Sequence, residues 1–198
     1  MGAPVKATAV SYEEFGVNFV TGVVTADRIR EAIASVSRET ITVGPLRAGP
    51  AEAAVVEAVG TVGAAEVERA DVDRTVGFAA RVPIHLCLDV RIGGRRSRFG
   101  GEVTVKLHIT VRTLLPLTLA FDVDRVRRRD VLVSLQASST VSRLLGTLGR
   151  IDEQVRRQVV DWVNEMVDSD EARELREIDV LSLVDRAWRP DSRHEPPH

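Results

Sequence analysis

The sequence predicts an α+β fold, in which a long, bent antiparallel β-meander packs against an N-terminal and a C-terminal amphipathic helix and encloses an apolar cavity. Apolar and polar residues alternate over residues 76–112, and apolar residues recur at helical spacing near both ends of the chain. Only 4% of the residues are aromatic. A wide sheet is harder to fill without large rings, so this composition favours a cavity.

Two helices are expected before the first strand. Ser11 and Glu14 have the spacing of a capping box, so the first helix begins near Tyr12. The second helix spans residues 25–37. The apolar residues that recur along the two helices are Phe15, Phe19, Val23, Ile29, Ile33 and Val36.

The next segment is expected to be extended. Residues 41–45 combine a short strand with a Gly-Pro turn. Residues 53–72 are rich in Ala, Val and Glu and fit a helix or a strand. Gly60 and Gly63 favour the strand, because glycine destabilises a helix interior.

The central hairpin carries the strongest pattern in the sequence. Even positions from Phe78 to Ile92 are apolar, and odd positions from Val103 to Val111 are apolar after a glycine-rich turn at residues 93–101. This period of two predicts two strands with one buried face. Pro83 is expected at an edge or a bulge, because proline has no N–H for the ladder.

Two further strands and two C-terminal helices complete the predicted domain. The strands span residues 117–123 and 131–135, and an amphipathic helix spans residues 151–167. A last helix begins at Asp179 and is expected to bury Val180, Leu183, Val184 and Trp188. Residues 1–188 therefore form a single domain, and residues 189–198 are expected to be a disordered tail.

Composition narrows the function classes. The formal charge of −2 and the pI of about 6.1 argue against nucleic acid as a partner. Cys87 is the only cysteine and no secretion signal is visible, so we expect a cytoplasmic protein that is at most peripheral to the membrane. The abundance of Ala, Val and Arg is typical of a bacterial source.

Four residues are candidates for a catalytic or a metal-binding site. Cys87 and His85 lie on one strand face and could form a nucleophile pair, and His85 with His108 and Asp89 or Cys87 could bind a metal ion. The preferred interpretation is that these are ordinary surface or partly buried residues of the sheet. We therefore expect no catalytic residue, no metal and no cofactor.

A basic cluster occupies the predicted turn of the hairpin. Arg95, Arg96, Arg98 and Phe99 lie between two pairs of glycines. A solvated hairpin tip is the preferred interpretation. The alternative is a transient membrane contact, with Phe99 as the apolar residue that enters the lipid.

The order of elements resembles the tubular lipid-binding (TULIP) superfamily, and in particular its small single-module members. The segments that carry the resemblance are Thr25–Val36, residues 41–45, Phe78–Val111, residues 116–123, residues 130–133 and Ile151–Val167. The resemblance implies a non-catalytic protein with a tubular cavity between sheet and helices that holds a lipid or another long apolar ligand.

On this interpretation the expected ligand-binding residues come from both helical regions and from the inner positions of the sheet. They are Phe19, Val23, Ile29, Ile33, Val82, Ile84, Leu86, Leu88, Val105, Leu107, Ile109, Leu119, Phe121, Val133, Val159, Trp162 and Met166.

Two alternatives stay open. One is a helix-grip protein of the START or polyketide-cyclase type, in which a bent sheet wraps a long C-terminal helix and an apolar substrate is bound. The other is a ligand-free interaction scaffold that buries its apolar surface in a homodimer, for which the stripe of Phe15, Phe19 and Val23 is suited.

Overall fold

A computed structural model describes residues 8–37, 40–48, 53–72, 75–135 and 148–188. Within these ranges the protein has five α-helices and one antiparallel sheet that curls into a half-barrel. The predicted α+β class is confirmed. The predicted tail at residues 189–198 lies outside the described residues.

The elements have the following bounds. The helices are α1 (Tyr12–Val23), α2 (Ala26–Val36), α3 (Leu148–Val167), α4 (Asp170–Leu175) and α5 (Val180–Trp188). The strands are β1 (Ile41–Ala48), β2 (Ala54–Val62), β3 (Glu66–Arg69), β4 (Gly77–Ile92), β5 (Arg95–Leu114), β6 (Thr118–Val123), β7 (Val131–Leu135) and β8 (Glu177–Asp179). A short 3-10 helix, Arg128–Asp130, precedes β7.

The predicted starts of the two N-terminal helices are confirmed by their caps. The Ser11 hydroxyl accepts the Glu14 backbone N–H at 3.1 Å, and the Glu14 carboxylate accepts the Ser11 N–H at 2.9 Å. The Thr25 hydroxyl accepts the Arg28 N–H at 3.4 Å. Each cap satisfies a backbone donor that the first helical turn leaves unpaired.

The sheet is organised around the hairpin of β4 and β5. Its main path runs β1-β2-β4-β5-β6-β8, and every pair is antiparallel. β3 also pairs with β4, and β7 also pairs with β5. The two long strands therefore have different neighbours at their two ends, which divides the sheet into two halves.

The prediction that residues 93–101 form a turn is wrong. The turn is only Gly93-Gly94, with φ angles of 53° and 77°, and β5 begins at Arg95. Two residues with positive φ form a tight turn that matches the twist of a hairpin. The later pair of glycines belongs to β5, where a Cβ on Gly101 would lie 2.6 Å from Leu135 Cδ2 on β7.

The strand interpretation of residues 53–72 is confirmed by β2 and β3. β1, however, continues through Gly44-Pro45, where a turn was predicted, and its register shifts between Val43 and Leu46. An irregularity within the strand thus replaces the turn. The Pro83 carbonyl accepts the Gly63 N–H at 2.8 Å, between the end of β2 and the start of β3.

The apolar core lies between the helices and one face of the sheet, which we call the inner face. Even positions of β4 from Phe78 to Val90 and odd positions of β5 from Val103 to Val111 are buried there. Helix α3 adds a stripe at every fourth residue, formed by Ile151, Val155, Val159 and Val163. The alternation read from the sequence therefore identifies the buried face correctly.

Helix α3 connects the two strands that border its half of the sheet. The Gln158 side chain accepts the Gly44 N–H of β1 at 2.8 Å, and Arg156 Nε donates to the Val131 carbonyl of β7 at 3.0 Å. β1 and β7 do not pair with each other in the described sheet. The helix thus covers the inner face between them.

The prediction that α5 buries an apolar face is wrong. Leu183, Val184 and Trp188 are 47%, 43% and 83% exposed. The chain first forms α4 and β8, neither of which the sequence pattern predicted, and β8 pairs with the start of β6. α5 therefore begins beside an edge of the sheet, where the Val180 N–H donates to the Leu117 carbonyl at 2.9 Å.

Candidate functional site

An apolar cavity of about 320 Å³ lies between α2 and the sheet, and we call it the α2 cavity. Eighteen residues line it, of which Arg28, Glu174 and Arg176 are charged and the other fifteen are apolar. The cavity is partly open to the surface, so the enclosed cavity expected from the sequence stays a prediction. Such a lining offers an apolar ligand contact area and few competing hydrogen-bond partners.

Residues on one face of α2 and on the inner face of the sheet form much of this lining. α2 contributes Ile29, Ala32, Ile33 and Val36, which lie on one face of the helix. The sheet contributes Leu107 and Ile109 of β5 and Phe121 and Val123 of β6, with Ile109 directly opposite Val123. The remaining apolar residues are Val23, Val24, Met166, Val167, Ala172, Leu175 and Ile178.

Seven of the predicted ligand-binding residues meet at the α2 cavity. They are Val23, Ile29, Ile33, Leu107, Ile109, Phe121 and Met166. The sequence interpretation missed the contribution of α4 and β8, because residues 170–179 carry charges and no clear period. Val36 and Val123 were also missed, although each continues an apolar stripe that the pattern shows.

Eight other predicted residues lie in the packed core or against it and line neither concavity described here. They are Val82, Ile84, Leu86, Leu88, Val105, Val133, Val159 and Trp162. Leu88 and Val159 have no exposed surface, because α3 fills this half of the inner face. Their assignment to a ligand stays a prediction.

A second apolar concavity, the α1 groove, lies between α1, the end of β5, the start of β6 and α5. Its volume is about 880 Å³, and it includes the last two predicted residues, Phe19 and Leu119. It is open to the surface, and Phe15 and Leu117 on its rim are 61% and 53% exposed. An exposed apolar surface of this kind is typical of a binding or association site.

The candidate catalytic and metal-binding residues lie on the outer face of the sheet. His85, Cys87 and His108 are exposed and point away from the core. His85 is opposite Glu102 and His108 is opposite Ala79, so the two histidines that were candidates for a shared metal site are not cross-strand neighbours. In the part of the chain that the structure describes, no three His, Cys, Asp or Glu residues are grouped to hold a metal ion.

The basic cluster is part of the β4–β5 ladder. Arg96 Nε donates to Asp89 Oδ1 at 2.7 Å, and Arg98 lies 3.7 Å from the same carboxylate. The Arg96 hydrogen bond, followed by the nearby arginine charges, lowers the pKa of Asp89. Phe99 packs partly against the core rather than projecting from the turn, so membrane contact through this cluster stays a prediction.

Comparisons with known proteins find no family. No protein-family model matches the chain, and no curated protein matches it. None of the helices in the described ranges combines the length and apolar character needed to cross a membrane.

Proposed function

We propose that the protein binds a lipid or another long apolar molecule, without catalysis, in the α2 cavity. The observation that carries the proposal is an apolar cavity of about 320 Å³ between α2 and the sheet. That volume falls within the range of roughly 300–1,000 Å³ that ligand pockets have. It is also about twice the roughly 150 Å³ of an engineered apolar cavity that binds benzene.

Burial of the ligand supplies the driving force. Apolar surface removed from water contributes about 25 cal/mol per Å². The lining comes from four separate parts of the chain: α2 with the end of α1 before it, β5 with β6, the end of α3, and α4 with β8. A ligand would add contacts among all four of these parts.

Both resemblances drawn from the sequence are compatible with this proposal. The tubular lipid-binding superfamily and the helix-grip proteins each combine a bent sheet with a long C-terminal helix and an apolar pocket. The exposed histidines and the cysteine lie on the outer face, away from the α2 cavity, which favours binding over catalysis.

Two matched substitutions on α2 test the proposal. Ala32 lines the cavity, whereas Ala34 is exposed on the same helix. Ala32→Phe fills the cavity and is expected to weaken binding of a fluorescent fatty-acid probe at least tenfold. Ala34→Phe adds the same group outside the cavity and is expected to leave probe affinity unchanged.

Native mass spectrometry of protein purified from cells provides an independent measurement. We expect a co-purifying apolar mass with the unsubstituted protein and with Ala34→Phe, and its loss with Ala32→Phe. Thermal unfolding of each variant checks that it is folded. If the unsubstituted protein shows no bound mass and no probe binding, the proposed function is wrong.

A second candidate function is self-association through the α1 groove, for which the exposed Phe15 and Leu117 are the specific observation. Leu117 and Leu132 are almost equally exposed, at 53% and 52%, but only Leu117 borders the groove. Sedimentation should show a dimer that Leu117→Asp dissociates and Leu132→Asp does not. A monomer at all protein concentrations would exclude this function.

A further inference from the structure

Two of the residues that line the α2 cavity are arginines without a carboxylate partner among the described residues. Arg28 lies in the first turn of α2, and Arg176 follows α4. Each has a neighbouring arginine that is ion-paired on its own helix, Arg30 with Asp27 and Arg173 with Asp170. Local carboxylates therefore pair with Arg30 and Arg173, whereas no such pair forms at the two arginines that line the cavity.

Arg28 is held in place without being neutralised. Its Nη1 donates to the Val23 carbonyl at 2.6 Å, at the end of α1. A guanidinium has further N–H donors after one such bond, and it keeps its full charge. This contact fixes the group at the α1–α2 junction, beside the apolar lining.

Arg176 is half-buried beside the apolar lining. Attraction between its guanidinium and an anion is stronger there than in bulk water, because the surroundings are less polarisable. Glu174 also borders the cavity. Two positive charges and one negative charge leave the rim with a net charge of +1.

We infer that the ligand of the α2 cavity is an amphiphile with an anionic headgroup, which Arg28 and Arg176 bind while the apolar chain lies against Ile33, Ile109 and Phe121. This inference rests on the proposed function. Guanidinium groups bind carboxylates and phosphates through paired hydrogen bonds, so the shared chemistry is that of a small oxyanion on an apolar chain.

Probes with one chain and different headgroups test the inference. Dodecanoate, dodecyl phosphate and dodecanol are compared by calorimetry with the full chain. We expect at least one of the two anions to bind about tenfold more tightly than the alcohol, and the preference to weaken as salt is raised. The tighter of the two anions identifies a carboxylate or a phosphate as the headgroup.

Two double variants test whether Arg28 and Arg176 cause the preference for an anionic headgroup. The double substitution Arg28→Gln with Arg176→Gln removes both positive charges from the cavity lining and is expected to abolish the preference for the anion, so that the anions bind no more tightly than dodecanol. The control, Arg30→Gln with Arg173→Gln, removes the same charge from the same regions and should retain the preference. Glu174→Gln, which removes the negative charge from the rim, should strengthen anion binding.

The outcomes separate this inference from the proposed function. If dodecanol binds the unsubstituted protein as tightly as both anions, the headgroup inference is overturned and the apolar site stands. The same holds if the control variant loses the preference as fully as the cavity variant. If none of the three probes binds, the proposed function is overturned together with the inference.

Discussion

At the scale of single residues, Asn164 of α3 shows how one polar side chain positions a loop. Its amide donates to the Val126 carbonyl at 3.1 Å and accepts the Val126 N–H at 3.0 Å, and the residue is only 8% exposed. Both backbone groups of Val126 therefore depend on this side chain. The bonds attach the segment before β7 to the helix.

Asn164→Leu should destabilise the protein, because it leaves the N–H and the carbonyl of Val126 without their hydrogen-bond partner. We expect the free energy of unfolding to fall by roughly 1–3 kcal/mol, the usual penalty for leaving a buried polar group unsatisfied. Urea denaturation measures the change. Asn18→Leu, on the exposed side of α1, is the control, and an equal loss there would contradict the assigned role.

Asp89 should make stability depend on pH. The Arg96 hydrogen bond, and then the neighbouring arginine charges, lower the pKa of Asp89 in the folded protein. The ionised carboxylate therefore stabilises the fold at pH values above the ordinary carboxyl pKa, and this stabilisation is lost as pH falls through the lowered pKa. Asp89→Asn should therefore destabilise the protein at neutral pH and have no effect at strongly acidic pH.

Thermal unfolding across pH, at low and high salt, measures this difference. The exposed Asp124→Asn serves as the control. If the difference in unfolding temperature between Asp89→Asn and the unsubstituted protein does not change with pH, the ion pair of Asp89 with Arg96 is not the cause of that difference.

At the scale of elements, the position of α3 separates core from cavity on the inner face. The buried stripe from Ile151 to Val163 shares one core with the β4 residues from Ile84 to Val90. Leu107 and Ile109 of β5 lie on the same face, yet they border the α2 cavity. Equivalent strand positions thus have different surroundings because the long helix covers only part of the sheet.

Leu88→Ala tests whether the β4 positions belong to the core or to the binding site. Leu88 has no exposed surface, so the substitution should lower the free energy of unfolding by about 2–5 kcal/mol. Probe affinity of the folded variant should be unchanged. Leu132→Ala, at an exposed position of β7, is the stability control, and a loss of affinity with Leu88→Ala would place β4 in the binding site.

At the scale of the whole molecule, the sheet has a filled half and an open half. α3 covers the half that contains β1, β2 and β7. Both concavities border the half that contains β6, next to α1, α2 and α4. Ligand binding should therefore change the local stability of one half more than that of the other.

Hydrogen exchange with and without bound dodecanoate measures this change. We expect slower exchange in α2, α4 and β6 when the probe is bound, because only closed, folded states bind it. Exchange in β1 and β7 should be unchanged. Uniform protection of all strands, or none, would contradict binding in the α2 cavity.

Much of the fold followed from local patterns. The Ser11–Glu14 capping box gave the correct start of α1, and the period of two identified the buried faces of β4 and β5. Errors arose where neighbouring strands decide the conformation. Gly100 and Gly101 resemble turn residues in the sequence, but in the structure they lie within β5, opposite Cys87 and Leu86.

The sequence by itself determined the fold class and the inward-facing residues of β4 and β5, because a period of two fixes the side of a strand on which each side chain lies. Only the tertiary structure decided which inward residues are packed and which border space. That outcome depends on where α3 ends at Val167 and on where α4 and β8 lie, and these contacts join residues far apart in the chain. The hairpin pattern consequently predicted an apolar face, and the docking of the helices divided that face into core and candidate binding site.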